Sequence, residues 1–242
     1  MTTIVTAFLS NINNFKTIEK YIDYGKKLIQ IPQQKIVYIE KYVYDLYFTD
    51  MLSDSTVADK TLFRFIEKKD LYLYEYYDEI INFNIITPTP NKDTIEYMFV
   101  INNKTNWIKE AIEENPYDSN QFIWIDFGIY HVINNDELFF ISINNACCKT
   151  YDNIRIASGL FNGNESYIYR RINWFFLGGI FGGHKDKLIK FADLMQEKCI
   201  SIIKTENTLC WEVNIWYLIY KEHSELFSNY LADHNVSMIL EY

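Results

Sequence analysis

Cysteine is scarce in this chain, and its spacing fits no metal or disulfide framework. The 242 residues include four cysteines, Cys147, Cys148, Cys199 and Cys210, and no CxxC pair. The pattern therefore indicates neither a structural zinc site nor a secreted disulfide-linked domain. We expect reduced thiols, which predicts a cytoplasmic protein.

Long apolar runs and targeting signals are also missing. No stretch approaches the ~18 apolar residues of a membrane-spanning helix. The opening segment, MTTIVTAFLSNINN, lacks the basic region of a signal peptide. These absences predict a soluble protein without a transmembrane segment.

Positive charge is in the minority. The formal net charge is −9 and the isoelectric point is about 5.0, whereas a nucleic-acid-binding protein needs a basic face. Nucleic acid is therefore not an expected partner. A small anion remains possible as a ligand, because it needs only a local cation or a metal ion.

Several enzyme signatures do not occur in the sequence. It contains no GxxxxGK[ST], GxGxxG, GxSxG or HExxH motif. P-loop, dinucleotide-binding and common hydrolase functions are therefore disfavoured.

The N-terminal third shows the pattern of a βαβ unit. The β-branched runs TTIVTAFLS (2–10) and KIVYIE (35–40) predict two buried strands. Between them, NNFKTIEKYIDYGKKLIQI (13–31) has helical spacing, with Asn13 or Asn14 as the expected N-cap. Strand, helix and strand in this order predict an α/β fold.

Further elements follow, although residues 41–92 give no clear pattern. We predict one α/β domain over residues 1–242, with a mixed, mostly parallel sheet flanked by helices. The predicted strands are FIWID (122–126), ELFFISI (137–143), NIRIAS (153–158), the glycine-interrupted WFFLGGIFGG (174–183) and a short apolar segment after DHN (233–235). The predicted helices are KTNWIKEAIEENP (104–116), HKDKLIKFADLMQEKCISII (184–203) and CWEVNIWYLIY (210–220).

An acidic residue closes the apolar strand FIWID. Ligands of open α/β sheets bind beyond the carboxyl ends of the strands, where Asp126 is expected. A buried carboxylate needs a partner, so Asp126 either caps the following turn or binds a cation or a ligand hydroxyl. Gly128, two residues later, permits a close approach of backbone or ligand.

In WIDFGIYH, the strand ending in an aspartate resembles the metal-binding turn of GT-A glycosyltransferases, and the stretch as a whole resembles the HtrL/YibB family. The segments IVTAFLS, NKTNWIKEAIEENP, WFFLGGIFGG, LCWEVNIWYLIY and the terminal DHN are similar to that family in the same order. The resemblance implies a single GT-A-like (Rossmann-like) glycosyltransferase domain. Residues 41–90 contribute little to it.

The resemblance implies a divalent cation, Mn²⁺ or Mg²⁺, bound by Asp126 and a distal histidine, His234. GT-A enzymes usually carry a second aspartate in this turn, and the chain has Gly128 at that position. One metal ligand is therefore missing, and the dependence on metal is in doubt. His234 has an alternative interpretation as a histidine of a surface turn.

A nucleotide-sugar site is implied around the same strand ends. Its expected cofactor-binding residues are those of the first strand, the aspartate turn, one helix start and the first glycine pair: Thr6, Ala7, Phe8, Lys104, Asp126, Phe127, Gly128, Gly178 and Gly179. Arg170, Arg171 and Lys185 are further cations that could equally lie on the solvated surface. The glycines could instead form a β-bulge.

Two carboxylates are candidates for the catalytic base. Glu212 shares a helix face with apolar residues, and a base there could take the proton of an acceptor hydroxyl. The alternative for Glu212 is simple stabilisation of a helix N-terminus. Asp186, in GGHKDKL, is the second candidate.

The sequence thus predicts a glycosyltransferase with a nucleotide-sugar donor, UDP-sugars being favoured, and a glycan or other hydroxyl acceptor. An alternative is a catalytically inactive protein that binds a nucleotide sugar or a carbohydrate. A structural or interaction protein is a third possibility, and a homodimer is an open expectation.

Overall fold

One seven-stranded sheet organises the computed structural model, which describes residues 1–10, 17–159 and 165–242. Its order is β3-β2-β1-β4-β6-β5-β7. The strands are β1 (Thr2–Phe8), β2 (Lys35–Ile39), β3 (Thr61–Phe65), β4 (Gln121–Ile125), β5 (Ile154–Ser158), β6 (Phe176–His184) and β7 (Phe227–Leu231).

The α-helices of the described residues flank this sheet. They are α1 (Ile18–Ile29), α2 (Lys41–Tyr47), α3 (Ser55–Ala58), α4 (Tyr77–Ile80), α5 (Ile95–Asn102), α6 (Lys104–Glu114), α7 (Asp136–Cys148), α8 (Lys185–Glu206), α9 (Glu212–Glu222) and α10 (Ser237–Leu240). Short 3₁₀ turns occupy Thr49–Ser53, Lys68–Asp70, Tyr72–Tyr76, Ile129–Val132, Glu165–Tyr167 and Ser224–Leu226.

Among the strands of the described residues, β6 alone runs antiparallel to its neighbours. It pairs antiparallel with β4 and β5, whereas all other pairs are parallel. The mixed, mostly parallel sheet predicted from the sequence is therefore confirmed. The carboxyl ends of six strands and the start of β6 meet at one edge. Between β1 and β4 the strand order changes direction, and such a switch point is where open α/β sheets bind ligands.

Both faces of the sheet are covered, because its central strands are apolar on both sides. In β1, Val5 packs into one buried cluster and Ile4 into another. In β4, Trp124 and Ile123 divide in the same way. Successive strand residues point to opposite faces, so each face receives its own layer of helices.

The segment 137–143, predicted as a strand, is helical, so that prediction was wrong. Helix α7 begins at Asp136, and the Asn135 side chain caps it by accepting a hydrogen bond from the Leu138 amide. Phe139 and Ile143 lie one turn apart on the buried face. A seven-residue apolar run does not distinguish a strand from a helix, and the cap decides here.

Two further expectations need correction. The short apolar segment after DHN is α10 rather than a strand, and the last strand, β7, precedes it. Helix α1 begins at Ile18 with Thr17 as its N-cap, while Asn13 and Asn14 lie outside the described residues. Among the residues described, no helix combines the length and apolar character that a bilayer crossing requires.

Candidate active site

A cleft of about 370 Å³ opens at the carboxyl edge of β1 and β4. Ala7 and Phe8 of β1 line it on one side, and Asp126, which directly follows β4, lies on its floor. Its position matches the switch point of the sheet. The complete lining comprises Ala7, Phe8, Leu9, Tyr21, Lys92, Tyr97, Val100, Ile101, Lys104, Trp107, Trp124, Asp126, Phe127, Gly128, His131 and His234.

At the base of the cleft, one buried lysine joins two carboxylates. Lys104 Nζ lies 3.0 Å from Asp126 Oδ1 and 3.0 Å from Glu212 Oε1. Its third partner is the carbonyl oxygen of Gly178, also at 3.0 Å. Three donor hydrogens of one ammonium group are therefore matched by three acceptors.

The three side chains differ in their access to solvent. Lys104 is 7% exposed and Glu212 is 9% exposed, whereas Asp126 keeps 38% of its surface accessible. Asp126 can therefore contact a ligand in the cleft. Glu212 lies behind Lys104, where its charge depends on that single cation.

The electrostatics of the pair follow from burial and proximity. Burial disfavours the charged form of Lys104, but Asp126 and Glu212 outweigh that effect and raise its pKa above the usual lysine value. Burial raises the pKa of Glu212, and Lys104 offsets the increase only in part. The lysine is therefore a fixed positive charge, and the glutamate binds a proton more readily than an ordinary glutamate does.

Asp126 is held by its neighbours on β4 and β6. Its amide donates to the Gly179 carbonyl at 2.9 Å, and Trp124 Nε1 donates to its Oδ1 at 2.7 Å. The side chain does not cap the following 3₁₀ turn, whose N-cap is Gly128. The carboxylate therefore does not cap the turn, and its ionic partner in the structure is Lys104.

Gly178 is required at its position by space. A Cβ atom there would lie 2.7 Å from Glu212 Oε1 and 3.4 Å from Lys104 Nζ. Any side chain at residue 178 would therefore displace the ion pair. This is a specific reason for the first glycine of the GG pair in WFFLGG.

Aromatic side chains form the wall of the cleft next to β1. The ring of Phe127 stacks on that of Phe8, with centroids 4.9 Å apart, and it packs directly against the backbone of Gly25 in α1. Thr6 is fully buried within β1, below this wall. Thr6 is thus further from the cleft than the sequence predicted, whereas Ala7, Phe8 and Phe127 line it.

Another part of the cleft lining, the histidine wall, brings two histidines together. His131 and His234 both line the cleft, with ring centroids 6.2 Å apart. His131 Nδ1 is within 2.6 Å of the Gly128 carbonyl, which orients that ring. The C-terminal histidine therefore lies on the same cleft as Asp126, although 108 residues separate them in the chain.

Asp186 lies at the other edge of the sheet. It belongs to the first turn of α8, next to His184, which pairs with Gln121 at the start of β4. Asp126 follows the opposite end of that strand, so Asp186 is separated from the cleft by the length of β4. Its side chain is 73% exposed. The structure thus does not bring this second candidate base to the site.

The remaining cationic side chains differ in their position relative to the cleft. Lys185 lies at the Asp186 edge, and Arg171 lies over the ring of Tyr167, 4.7 Å from its centroid. Lys92 lines the cleft instead, with its Nζ 5.4 Å from the Tyr97 ring. Sequence reasoning missed Lys92, because it lies in a region without a clear pattern.

Among the described residues, no group of three or more histidine, cysteine, aspartate or glutamate side chains could hold a metal ion. Asp126 and His234 provide two donor side chains on one cleft. Mg²⁺ and Mn²⁺ commonly use one or two protein ligands together with water and substrate phosphate oxygens. The donor set is therefore suited to a cation only when a phosphorylated ligand completes its coordination.

Comparisons with known proteins give one family and several distant folds. The profile of the family described as "Bacterial protein of unknown function (HtrL_YibB)" matches residues 1–234. A comparison with curated proteins finds no match.

Three solved structures have a related overall shape. The galactosyltransferase LgtC, in complex with donor and acceptor sugar analogues, is 9% identical with a TM-score of 0.47, over 94% of this chain and 72% of that one. An active-site mutant of LgtC gives 9% and 0.44 over the same shares. The 4-diphosphocytidyl-2C-methyl-D-erythritol synthase of Anaerococcus prevotii gives 9% and 0.43, over 97% and 88%. These values carry no conclusion about residues or activity.

Proposed function

We propose that this chain, which belongs to the HtrL_YibB family of bacterial proteins, is a glycosyltransferase that uses a nucleotide-sugar donor and a hydroxyl acceptor. The observation that carries the proposal is the buried Lys104 between Asp126 and Glu212, at the base of a cleft on the sheet's switch point. Such a cluster supplies a fixed positive charge, an accessible carboxylate and a carboxylate with a raised pKa within one site. The whole chain, 1–242, is proposed to act as one glycosyltransferase-like domain.

The donor would lie along the cleft from β1 to the histidine wall. In this arrangement the nucleobase of the donor contacts Ala7, Phe8 and Phe127. The diphosphate of the donor contacts Lys104 and Lys92. Lys92 is the more available cation, since Lys104 is already paired with two carboxylates. UDP-sugars are the favoured donors in this proposal.

The proposed metal ligands are Asp126 and His234, with Mn²⁺ or Mg²⁺ as the ion. When bound, such an ion would stabilise negative charge on the leaving diphosphate. The chain's own contribution is to orient the Asp126 carboxylate through Trp124 Nε1 and to hold the Asp126 backbone through the Gly179 carbonyl. Gly128 leaves the turn without a second carboxylate, so the phosphate oxygens of the donor are needed to complete the coordination.

The proposed reaction breaks the bond between the anomeric carbon and the β-phosphate oxygen. A bond from the anomeric carbon to the acceptor oxygen forms, and the acceptor proton passes to a base. Glu212 is the proposed base, because burial raises its pKa above the ordinary glutamate value; the acceptor hydroxyl would have to reach it past Lys104, since Glu212 does not line the cleft. The same carboxylate also positions Lys104 through their 3.0 Å contact.

Ligand binding is tested by thermal unfolding with UDP or GDP, with and without Mn²⁺. We expect the cognate diphosphate to raise Tm, and Asp126→Asn to remove the part of the shift that needs Mn²⁺. Asp59→Asn is the matched control, because Asp59 is exposed and precedes β3 at the other edge of the sheet. No Tm shift with any nucleoside diphosphate and either metal would contradict the proposal.

Turnover distinguishes an enzyme from a protein that only binds its ligand. We expect the wild-type chain to release nucleoside diphosphate from a sugar nucleotide, and Glu212→Gln to lose this release while keeping the Tm shift. If Glu212 is the base, the acidic limb of the kcat–pH profile disappears from the residual activity of the variant. Diphosphate binding without release in the wild-type chain would favour the inactive-binder alternative.

A further inference from the structure

One tryptophan differs from all the others in this chain. Trp107, Trp124, Trp211 and Trp216 are no more than 2% exposed, whereas Trp174 is 43% exposed. Trp174 directly precedes Phe175 and β6, at the same sheet edge as the cleft. A large aromatic ring left in solvent beside a candidate active site is a potential binding surface.

The Trp174 ring is adjacent to the cleft. Its centroid is 6.0 Å from that of His234, with the two rings perpendicular, and His234 lines the cleft. Phe8, Asp126 and His234 thus all line one cleft, and Trp174, which does not line it, lies next to its His234 side. A nucleotide-sugar donor whose nucleobase lies at β1 would direct its sugar toward His234 and Trp174.

The backbone at Trp174 is held in an unfavourable conformation. Its φ angle is +55°, in the left-handed region that non-glycine residues rarely adopt. Such a conformation persists only where the surroundings enforce it, and it is found preferentially at ligand sites. The bulky, β-carbon-bearing side chain is thus presented at a position where glycine would be the easier residue.

A buried asparagine on α9 holds the segment that leads to Trp174. Asn214 is fully buried, and its Oδ1 accepts from the Asn173 amide at 2.9 Å. Its Nδ2 donates to the carbonyls of Ile168 at 2.7 Å and Arg171 at 2.8 Å. Three bonds from one side chain therefore fix the segment that carries Trp174.

We propose that Trp174 is the acceptor platform, on which a pyranose ring of a saccharide acceptor stacks. The inference rests on the proposed glycosyltransferase function, and it names the acceptor class as a saccharide rather than a protein or lipid hydroxyl. A sugar ring has an apolar face of C–H groups, which an aromatic ring covers while the hydroxyls remain solvated. The nucleotide is placed elsewhere, at the β1 end, so it does not compete for this ring.

Because Trp174 is exposed and the other tryptophans are buried, its fluorescence can be measured separately. Acrylamide quenching of tryptophan emission should act mainly on Trp174 in the wild-type protein, and this quenchable component should be lost in Trp174→Phe. Cellobiose, lactose, maltose and diacetylchitobiose are the probes, and mannitol is the control that has hydroxyls but no ring face. We expect at least one disaccharide, and not mannitol, to protect the wild-type emission from acrylamide.

The variants separate stacking from folding and from donor binding. Trp174→Ala should raise the KM for the protecting disaccharide as acceptor by about tenfold, or ~1.4 kcal/mol, with Trp174→Tyr retaining most of the affinity. The KM for the donor and the Tm shift with UDP and Mn²⁺ should stay unchanged in Trp174→Tyr, which keeps an aromatic ring next to His234. UDP alone should give no protection of the Trp174 emission.

Three results would overturn the acceptor platform. These are no protection by any of the four disaccharides, equal protection by mannitol, or unchanged disaccharide affinity in Trp174→Ala. Failure of the glycosyltransferase proposal is recognised separately, since it would leave UDP and GDP without any effect on Tm whatever the disaccharides do.

Discussion

Replacement of Lys104 by methionine tests the buried ion pair directly. Methionine keeps a long apolar side chain but removes the charge and the three hydrogen bonds to Asp126, Glu212 and Gly178. Asp126 is partly exposed, so water can take over its solvation at little cost. Glu212 is buried, and its carboxylate would be left without its cation.

The size of the effect is limited by the protonation of Glu212. Leaving a buried charge unpaired costs about 3–5 kcal/mol. The carboxyl group can avoid this by binding a proton, which for an ordinary glutamate pKa of about 4.3 costs ~3.7 kcal/mol at pH 7 and ~1.6 kcal/mol at pH 5.5. We therefore expect Lys104→Met to lower the free energy of unfolding by about 3 kcal/mol at pH 7, and by about half of that at pH 5.5.

The sign of the pH dependence follows from the raised pKa of Glu212. Without Lys104, the folded-state pKa rises further above the unfolded value, because the main interaction that lowers it has been removed. Stability is then retained below the unfolded pKa and lost as pH rises toward the folded one. The wild-type pair is less affected in this window, since Lys104 stays charged.

Urea unfolding at the two pH values measures the difference, with Lys109→Met as the matched control. Lys109 is on the same helix and pairs with Asp193 at the surface, so its loss should cost no more than about 1 kcal/mol at either pH. Adding Glu212→Gln to Lys104→Met should recover part of the loss at pH 7. An equal loss for Lys104→Met at both pH values, or one no larger than that of Lys109→Met, would refute the reasoning.

Three further predictions concern single positions. Gly178→Ala should reduce kcat by roughly 10- to 100-fold, since the new methyl group lies 2.7 Å from Glu212 Oε1 and displaces the site; a normal kcat in diphosphate-release assays would contradict this. His234→Ala should weaken activation by Mn²⁺ in the same assay without changing the Tm of the ligand-free protein, and an unaltered Mn²⁺ titration would remove it as a ligand. Burial lowers the pKa of Lys35 to about 7, so the folded state loses stability as pH falls from the ordinary lysine pKa of about 10.4 to 7, and the full cost is present below pH 7. Lys35→Met should therefore exceed the wild type in unfolding free energy at pH 6, by about 1.4 kcal/mol per unit of pKa shift, with the gain shrinking toward pH 9; a pH-independent difference would count against it.

The central strands could be predicted from the sequence because their environment is uniform. FIWID is apolar at every position before Asp126, as a strand buried on both faces must be. The segment 137–143 looked similar, but its structure depends on the cap at Asn135, a single residue outside the apolar run. Local pattern thus predicted β1, β2, β4, β5 and β6, but neither the outer strands β3 and β7 nor the helix that follows β4.

The candidate site could be predicted only where its contacting residues lie close together in the sequence. Trp124 shares a strand face with Asp126 at a spacing of two, so its contact with that carboxylate could have been anticipated. The contact between Lys104 and Glu212 spans 108 positions and depends on how α6 and α9 approach β6. Spacing alone could not provide it, and it could not place Asp186 at the far edge of the sheet.

The first turn of α9 anchors two things at once. Glu212 forms an ion pair with the ammonium group of Lys104. Two residues later, Asn214 forms hydrogen bonds with the segment that carries Trp174. Both contacts are made by the same helix, α9, so a small tilt of this helix would shift the Lys104 ammonium group and the Trp174 indole together. Loop insertions elsewhere could change the mouth of the cleft. The distance between Glu212 and Asn214, however, is fixed by the first turn of α9.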